Sequence, residues 1–321
     1  LCGGNAGNIY GYRKGTLPGE PLLLSAHMDT VEPGKRKKAI FQNDGTITSD
    51  GTTVLGADDV SGIVEILEGI RSIQESKTDC RDMEVLFTIA EELYTKGSKC
   101  FDFSKIHSRK AFVLDLDGPV GSAARKAASL ISFQADVHGH AAHAASEPEK
   151  GVHAVWIAGK AISELKMGWQ DEITTMNIGS IQGGTKSNTV PDFCRCSGEI
   201  RSYSHEHALA CMEKVKQIFE QTAETMQGAV TFRYSVELTA YDIPETAEIV
   251  AMYKQACDVL ELPGELRQTF GGSDNNTFLQ HGIEGLLLST GMRDAHAVNE
   301  SCTVDDLVKG ANLVAELITL A

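Results

Sequence analysis

No uninterrupted apolar stretch in this 321-residue chain approaches the ~20 residues that a bilayer-spanning helix needs, and nothing at its start reads as a signal peptide. Positive charge is in deficit, with 29 Lys and Arg against 44 Asp and Glu and a net charge of −15. That balance argues against sequence-independent nucleic-acid binding, which needs a basic face to neutralise phosphates. The one basic run, Lys35–Lys38, reads as a solvated loop. No G-x-S-x-G, Walker or G-x-G-x-x-G sequence occurs, so serine chemistry and nucleotide use lack their usual signatures. Eight cysteines include no C-x-x-C pair, and the simple reading is free thiols in a reducing cytoplasm. The chain opens on Leu1 without Met, so the expectation is that part of the natural N-terminus is missing.

What is present is ordinary globular composition, 42% hydrophobic and 23% charged, in a chain long enough for two domains. Short, nearly continuous apolar runs recur at Pro21–Ala26, Met83–Ala90, Ala111–Leu114 and Gly285–Ser289. Runs of this kind suit strands buried on both faces of a parallel or mixed sheet. Between the first two, Ile63, Ile66, Leu67, Ile70 and Ile73 line one stripe of a helix over Asp59–Ser76. From about Ala124 the texture changes. Leu130–His138, Asp192–Arg201 and Val230–Leu238 alternate like half-exposed strands, with helical stretches at Gly151–Met167 and His205–Met226. The order β-α-β-β-α-β is that of a ferredoxin-like sandwich. The α/β texture then returns with a helix near Glu245–Glu261 and a last helix from Val304. The reading is an α/β domain, 1–123 and 237–321, with a mixed sheet flanked by helices, interrupted by an α+β insert, 124–236.

The chemistry lies where polar residues meet these runs. His27 and Asp29 follow the first, Glu91 and Glu92 the second, Asp115 and Asp117 close the third, and His296 lies beyond the fourth. Ligand crevices in open α/β sheets lie outside the carboxyl ends of the strands, so four strands deliver these groups to one edge. Asp58 and Asp59, at the helix start, can join them. Two His with several carboxylates form an N/O ligand set suited to zinc and other divalent first-row ions. For two ions, Asp58 suits the bridge, with His27 and Asp117 on one side and His296 and Glu92 on the other. Asp115 lies two residues from Asp117 and shares its strand face. Glu91 is left free as a general base, and Asp29 suits an acceptor that orients His27.

SAHMDTV, LGADDVSG, TIAEE, LDLDGPVG and DAHAVNE, in this order, resemble the motifs of the co-catalytic dizinc peptidases and deacylases, with peptidase T and its relatives the nearest match. The resemblance spans essentially the whole chain. It implies a zinc-peptidase-like catalytic domain with an inserted dimerisation domain. It implies His27, Asp58, Glu92, Asp117 and His296 as ligands, Glu91 as base, Asp29 as support for His27, and a cis peptide between Asp58 and Asp59. An Asp on the third strand resembles the aminopeptidase members, whereas carboxypeptidases and deacylases tend to carry Glu. GHAAHAASEPEKGVHA resembles the family's dimerisation motif, in which His143 matches the His that stabilises the oxyanion in the partner's active site. GGTKSNTVPDFCRCSGEIRS places Asn188 and Arg201 at the positions that bind the substrate's backbone or carboxylate. FGGSDNN matches the glycine-rich loop, where Gly271 and Gly272 allow backbone approach to substrate. Relatives normally carry a helical segment before the first strand, which here opens the chain at Asn8–Arg13.

The resemblance therefore implies a cytoplasmic homodimeric metallopeptidase with two divalent ions per chain, Zn2+ first and Co2+ or Mn2+ as alternatives. It would release the N-terminal residue of short peptides, as tripeptide aminopeptidases do, with no nucleic-acid or membrane partner. The alternatives are an N-acyl-amino-acid deacylase or carboxypeptidase with the same centre, or a catalytically silent binding protein. Against the last stands the intact base and ligand set.

Overall fold

A computed structural model describes residues 4–320 and divides into two compact units, one running to Ala127 and resuming at Tyr241, the other Ala128–Ala240. The division falls a little later than the expected 123/124 and 236/237. Its cause is hydrogen bonding: the strand Ser122–Ala127 pairs with Glu284–Ser289, Glu265–Thr269 and Tyr241–Asp242, so it belongs to the first unit.

The first unit is built on an eight-stranded mixed sheet. Its centre is four parallel strands, Met83–Thr88, Leu22–His27, Lys110–Leu116 and Glu284–Ser289, in that spatial order. Ile9–Arg13 adds antiparallel to Met83–Thr88 at one edge. The apolar runs are continuous because both faces are covered. Leu22, Leu24 and Ala26 pack with Ile66 and Ile73 of the helix Ala57–Ser76 and with Val314 and Leu317 of the helix Val304–Thr319. Leu23, from the same strand, faces the other way and packs with Leu86, Val113 and Phe278. On the expected helical stripe Ile66 and Ile73 are buried and Ile63 and Ile70 partly so, while Leu67 is 51% exposed. The two long helices touch closely at Gly69, where a Cβ would come within 2.7 Å of Val314. Among the described residues no helix is long and apolar enough to cross a membrane.

The second unit is a five-stranded antiparallel sheet ordered Ala229–Leu238, Ser129–His138, Phe193–Ser202, Thr174–Gly183, Gly168–Trp169. The helices Ala154–Ser163 and His205–Thr225 supply Ile157, Met212 and Phe219 to a core shared with Ile131, Phe133 and Ile200 of the sheet. The chain order is the expected β-α-β-β-α-β, with the two-residue Gly168–Trp169 strand added at the edge.

The cysteines depart from expectation at one place. Cys80, Cys194, Cys196, Cys211, Cys257 and Cys302 are free thiols, but Cys100 is disulfide-bonded. Cys2 lies outside the described residues.

Candidate metal centre

Four parallel strands place their carboxyl ends along one edge, and the polar residues gather there. His27 is the last residue of its strand and only 2% exposed. Its Nδ1–H donates to the backbone carbonyl of Asp29 at 3.1 Å, which turns Nε2 toward two carboxylates. Asp58 Oδ1 lies 3.0 Å and Asp115 Oδ1 3.6 Å from that nitrogen. The second oxygen of Asp58 lies 3.0 Å from His296 Nε2, which is also 3.0 Å from Glu92 Oε1. Two groups of potential ligands result, His27–Asp58–Asp115 and Asp58–Glu92–His296, each with its ligand atoms within 4.8 Å of one another. Asp58 is common to both.

The Asp58–Asp59 peptide is cis, and both residues have non-helical φ and ψ although they open a helix. Asp59 turns inward instead, where its carboxylate accepts the N–H of His27 at 2.9 Å. It is completely buried.

At the third strand the geometry departs from the expectation of Asp117 as the ligand. Asp115 lies inside the strand Lys110–Leu116 and faces His27, whereas Asp117 lies beyond the strand's last residue. Asp117 is 68% exposed, and its carboxylate receives Arg267 at 2.7 Å. Gly118, with φ 94°, marks the turn that carries Asp117 outward.

The electrostatics suit divalent cations. Asp58, Asp115, Glu91 and Glu92 are packed together with two imidazoles, and burying like charges without a counter-ion is costly. Burial pushes the Asp115 carboxyl up to about 7. Burial, with Asp115 and Asp274 nearby, pushes Glu91 well above the usual carboxylate range. Burial opposes ionisation of Asp58 too, but hydrogen bonds with His27 and His296 outweigh it and hold its carboxyl low. The hydrogen bond to Asp58 pushes His296 up to about 9. Glu92 Oε1 is buried and faces the imidazole of His296. Buried carboxylate oxygens set 3.0 Å from two imidazole nitrogens, with Asp58 common to both groups, are what zinc-type cations would satisfy, so the residues present fit two such ions.

Comparison with known proteins bears on the family. Residues 126–227 match the family model described as a peptidase dimerisation domain, and residues 8–154 match that of peptidase family M28. The Bacillus subtilis protein YqjE is 36% identical over 318 residues, covering 99% of this chain and 85% of its own. The crystal structure of a Staphylococcus aureus tripeptidase superposes with a TM-score of 0.93 at 32% identity, over 97% of this chain and 83% of that one. That of the Bacillus cereus aminopeptidase PepT gives 0.91 at 36% identity, over 98% and 85%. The chain belongs to the peptidase T-like metallopeptidases.

Within this peptidase, two carboxylates accept from backbone N–H groups of the site, and that of Asp29 also lies 3.6 Å from His27 Nδ1. Asp29 accepts the N–H groups of Glu91 at 3.0 Å and Glu92 at 3.2 Å, so it orders the Glu pair as well as His27. Glu300, 1% exposed, accepts the N–H groups of Gly56 at 2.6 Å and Asp58 at 2.8 Å. Glu300 lies in the DAHAVNE stretch but was not singled out from sequence. Gly271 and Gly272 immediately precede Ser273, which caps the helix Asp274–Gln280 through a capping box.

In the insert, His143 and Asn188 are neighbours: the Ala144 N–H donates to the Asn188 carbonyl at 3.0 Å, and both residues are exposed. His143 Nδ1 accepts the N–H groups of Ala145 and Ser146, each at 3.2 Å, which leaves Nε2 to carry the proton and face outward. Arg201 lies toward the other end of the Phe193–Ser202 strand, its guanidinium held by Glu199 at 2.8 Å.

Proposed function

We propose that this peptidase is a dinuclear aminopeptidase that removes the N-terminal residue from short peptides, tripeptides first among them. The observation that carries the reading is Asp58, shared between two ligand groups with one oxygen turned to each histidine. His27 and Asp115 would hold one divalent ion and Glu92 and His296 the other, with zinc favoured by the donor set and cobalt or manganese able to replace it. Such a pair of ions supplies Lewis acidity for the scissile carbonyl and makes water acidic enough to react near neutral pH.

The chain's own residues do the rest. Glu91 belongs to neither ligand group. Burial pushes its pKa up, which makes the ionised carboxylate a stronger base toward the attacking water, and the proton it takes can return to the leaving amine. Asp29 holds the amides of Glu91 and Glu92 and so keeps base and ligand in register. His143, with Nε2–H free to donate, suits stabilisation of the tetrahedral oxyanion, given in trans within a homodimer. Asn188 beside it, and Arg201 once released from Glu199, suit the substrate's backbone and terminal carboxylate. Gly271 and Gly272 leave room for substrate backbone.

Release of the N-terminal residue is supported by the aspartate on the third strand and by the activities named for the Staphylococcus and Bacillus cereus proteins. The test is a panel of tripeptides, dipeptides and N-acyl-amino acids with the metal-loaded protein. Free N-terminal amino acid from tripeptides, abolished by chelation and by Glu91→Gln, is expected. Preferential release of acid from N-acyl-amino acids would overturn the reading.

A further inference from the structure

The segment carrying Glu91 and Glu92 runs through unusual backbone. Ala90, Tyr94 and Thr95 have φ of 53°, 61° and 54°, left-handed values that non-glycine residues seldom adopt. Such conformations persist where the surroundings over-determine them. Here the segment closes on itself, with the Thr95 N–H on the Glu91 carbonyl at 2.7 Å and the Lys96 N–H on the Ala90 carbonyl at 3.0 Å. Its two arms meet so tightly that a Cβ on Gly97 would lie 1.8 Å from the Ile89 carbonyl oxygen. Asn8 spans them, accepting from the Ile89 N–H at 3.0 Å and donating to the Gly97 carbonyl at 2.8 Å.

A further restraint comes from the first turn of the helix Asp274–Gln280. Thr88, the last strand residue before the segment, donates its hydroxyl to the Asp274 carboxylate. At the far end, the hydroxyls of Thr95 and Thr277 share a hydrogen bond at 3.1 Å. All four residues are at most 2% exposed. Valine would fill the two buried threonine sites equally well, whereas a hydroxyl pair adds a directional bond of fixed length. One helical turn thus grips the Glu91–Glu92 segment at both ends.

We propose that Asp274 and Thr277 are positioning residues for hydrolysis: the start of this helix sets where the Glu91 carboxylate stands. The inference rests on Glu91 being the base. A small displacement of a reacting group is expensive in rate and nearly neutral in binding. Thr277→Val and, independently, Thr95→Val should each lower kcat by about 10- to 100-fold, with KM within about twofold and metal content equal to the parent's. Thr277→Ser keeps the hydroxyl and should restore most of the rate. The double variant Thr95→Val/Thr277→Val should be no worse than either single one, because both remove the same bond. A Thr277→Val enzyme with kcat within about twofold of the parent would overturn the proposal, as would a loss that Thr277→Ser shares or that follows loss of metal. Glu91→Gln run alongside separates the two claims. If that variant keeps its kcat, the base assignment fails; if it loses kcat while Thr277→Val does not, only the clamp fails.

Discussion

The buried carboxylate of Glu300 accepts the backbone N–H of Asp58 at 2.8 Å. The residue that serves both ligand groups is therefore fixed from the loop that also carries His296. Glu300→Gln keeps the volume but gives up the charge and one acceptor oxygen. Loss of groups that orient ligands typically lowers metal affinity by about 10- to 100-fold. That loss is expected here, measured by competition with a chelator of known affinity, with secondary structure retained. Unchanged affinity would mean that Asp58 is held by other contacts.

Asp115 and Asp117 make opposite predictions. Asp115→Asn should weaken retention of the ion near His27 and abolish turnover. Asp117→Asn should leave metal content intact, since that carboxylate is exposed and occupied by Arg267. Metal analysis of the two purified variants decides the matter, and the reverse pattern would restore Asp117 as the ligand.

Much of this was legible in the sequence, and the reason is burial. Central strands covered on both faces leave nearly unbroken apolar runs, so His27, Glu91 and Glu92 stood out where their runs ended and His296 in the stretch beyond the last. The choice between Asp115 and Asp117 was not legible, because residues two apart share a strand face. What separates them is that the strand stops at Leu116, after which Asp117 turns out toward an arginine 150 positions away. Glu300 was missed for a different reason. It binds only backbone amides, and no side-chain pattern records which amides a carboxylate will find. The disulfide at Cys100 likewise depends on which thiols the fold brings together, which spacing does not reveal.

Glu65 gives a pH dependence away from the metal centre. It is completely buried between the two long helices, and neither carboxylate oxygen has a hydrogen-bond partner. Burial, reinforced by Asp306, raises its pKa well above the ordinary 4.5. Between 4.5 and the higher folded value, the native state holds a proton that the unfolded chain has released. Stability therefore falls as pH rises through this window, by up to about 1.4 kcal/mol per pH unit for one group. Glu65→Gln should flatten that slope, gaining on the parent between pH 5 and pH 8 in urea denaturation. Parallel slopes would show that Glu65 does not titrate on unfolding.

His143 is expected to act across a dimer. His143→Ala should lower kcat with metal content unchanged; loss of one oxyanion donor is worth about 2.7–4 kcal/mol. Mixed dimers of His143→Ala and Glu91→Gln subunits sharpen this. In trans, one site carries both defects and the other neither, so activity partly returns. In cis, every site keeps a defect and mixing recovers nothing.

The most direct test of the dinuclear reading is the number of ions held per chain. Protein saturated with zinc, dialysed free of excess and analysed by elemental mass spectrometry should carry two ions per chain. His27→Ala and His296→Ala should each reduce that number. One tight ion or fewer in the unaltered protein would contradict a centre in which Asp58 serves two metals.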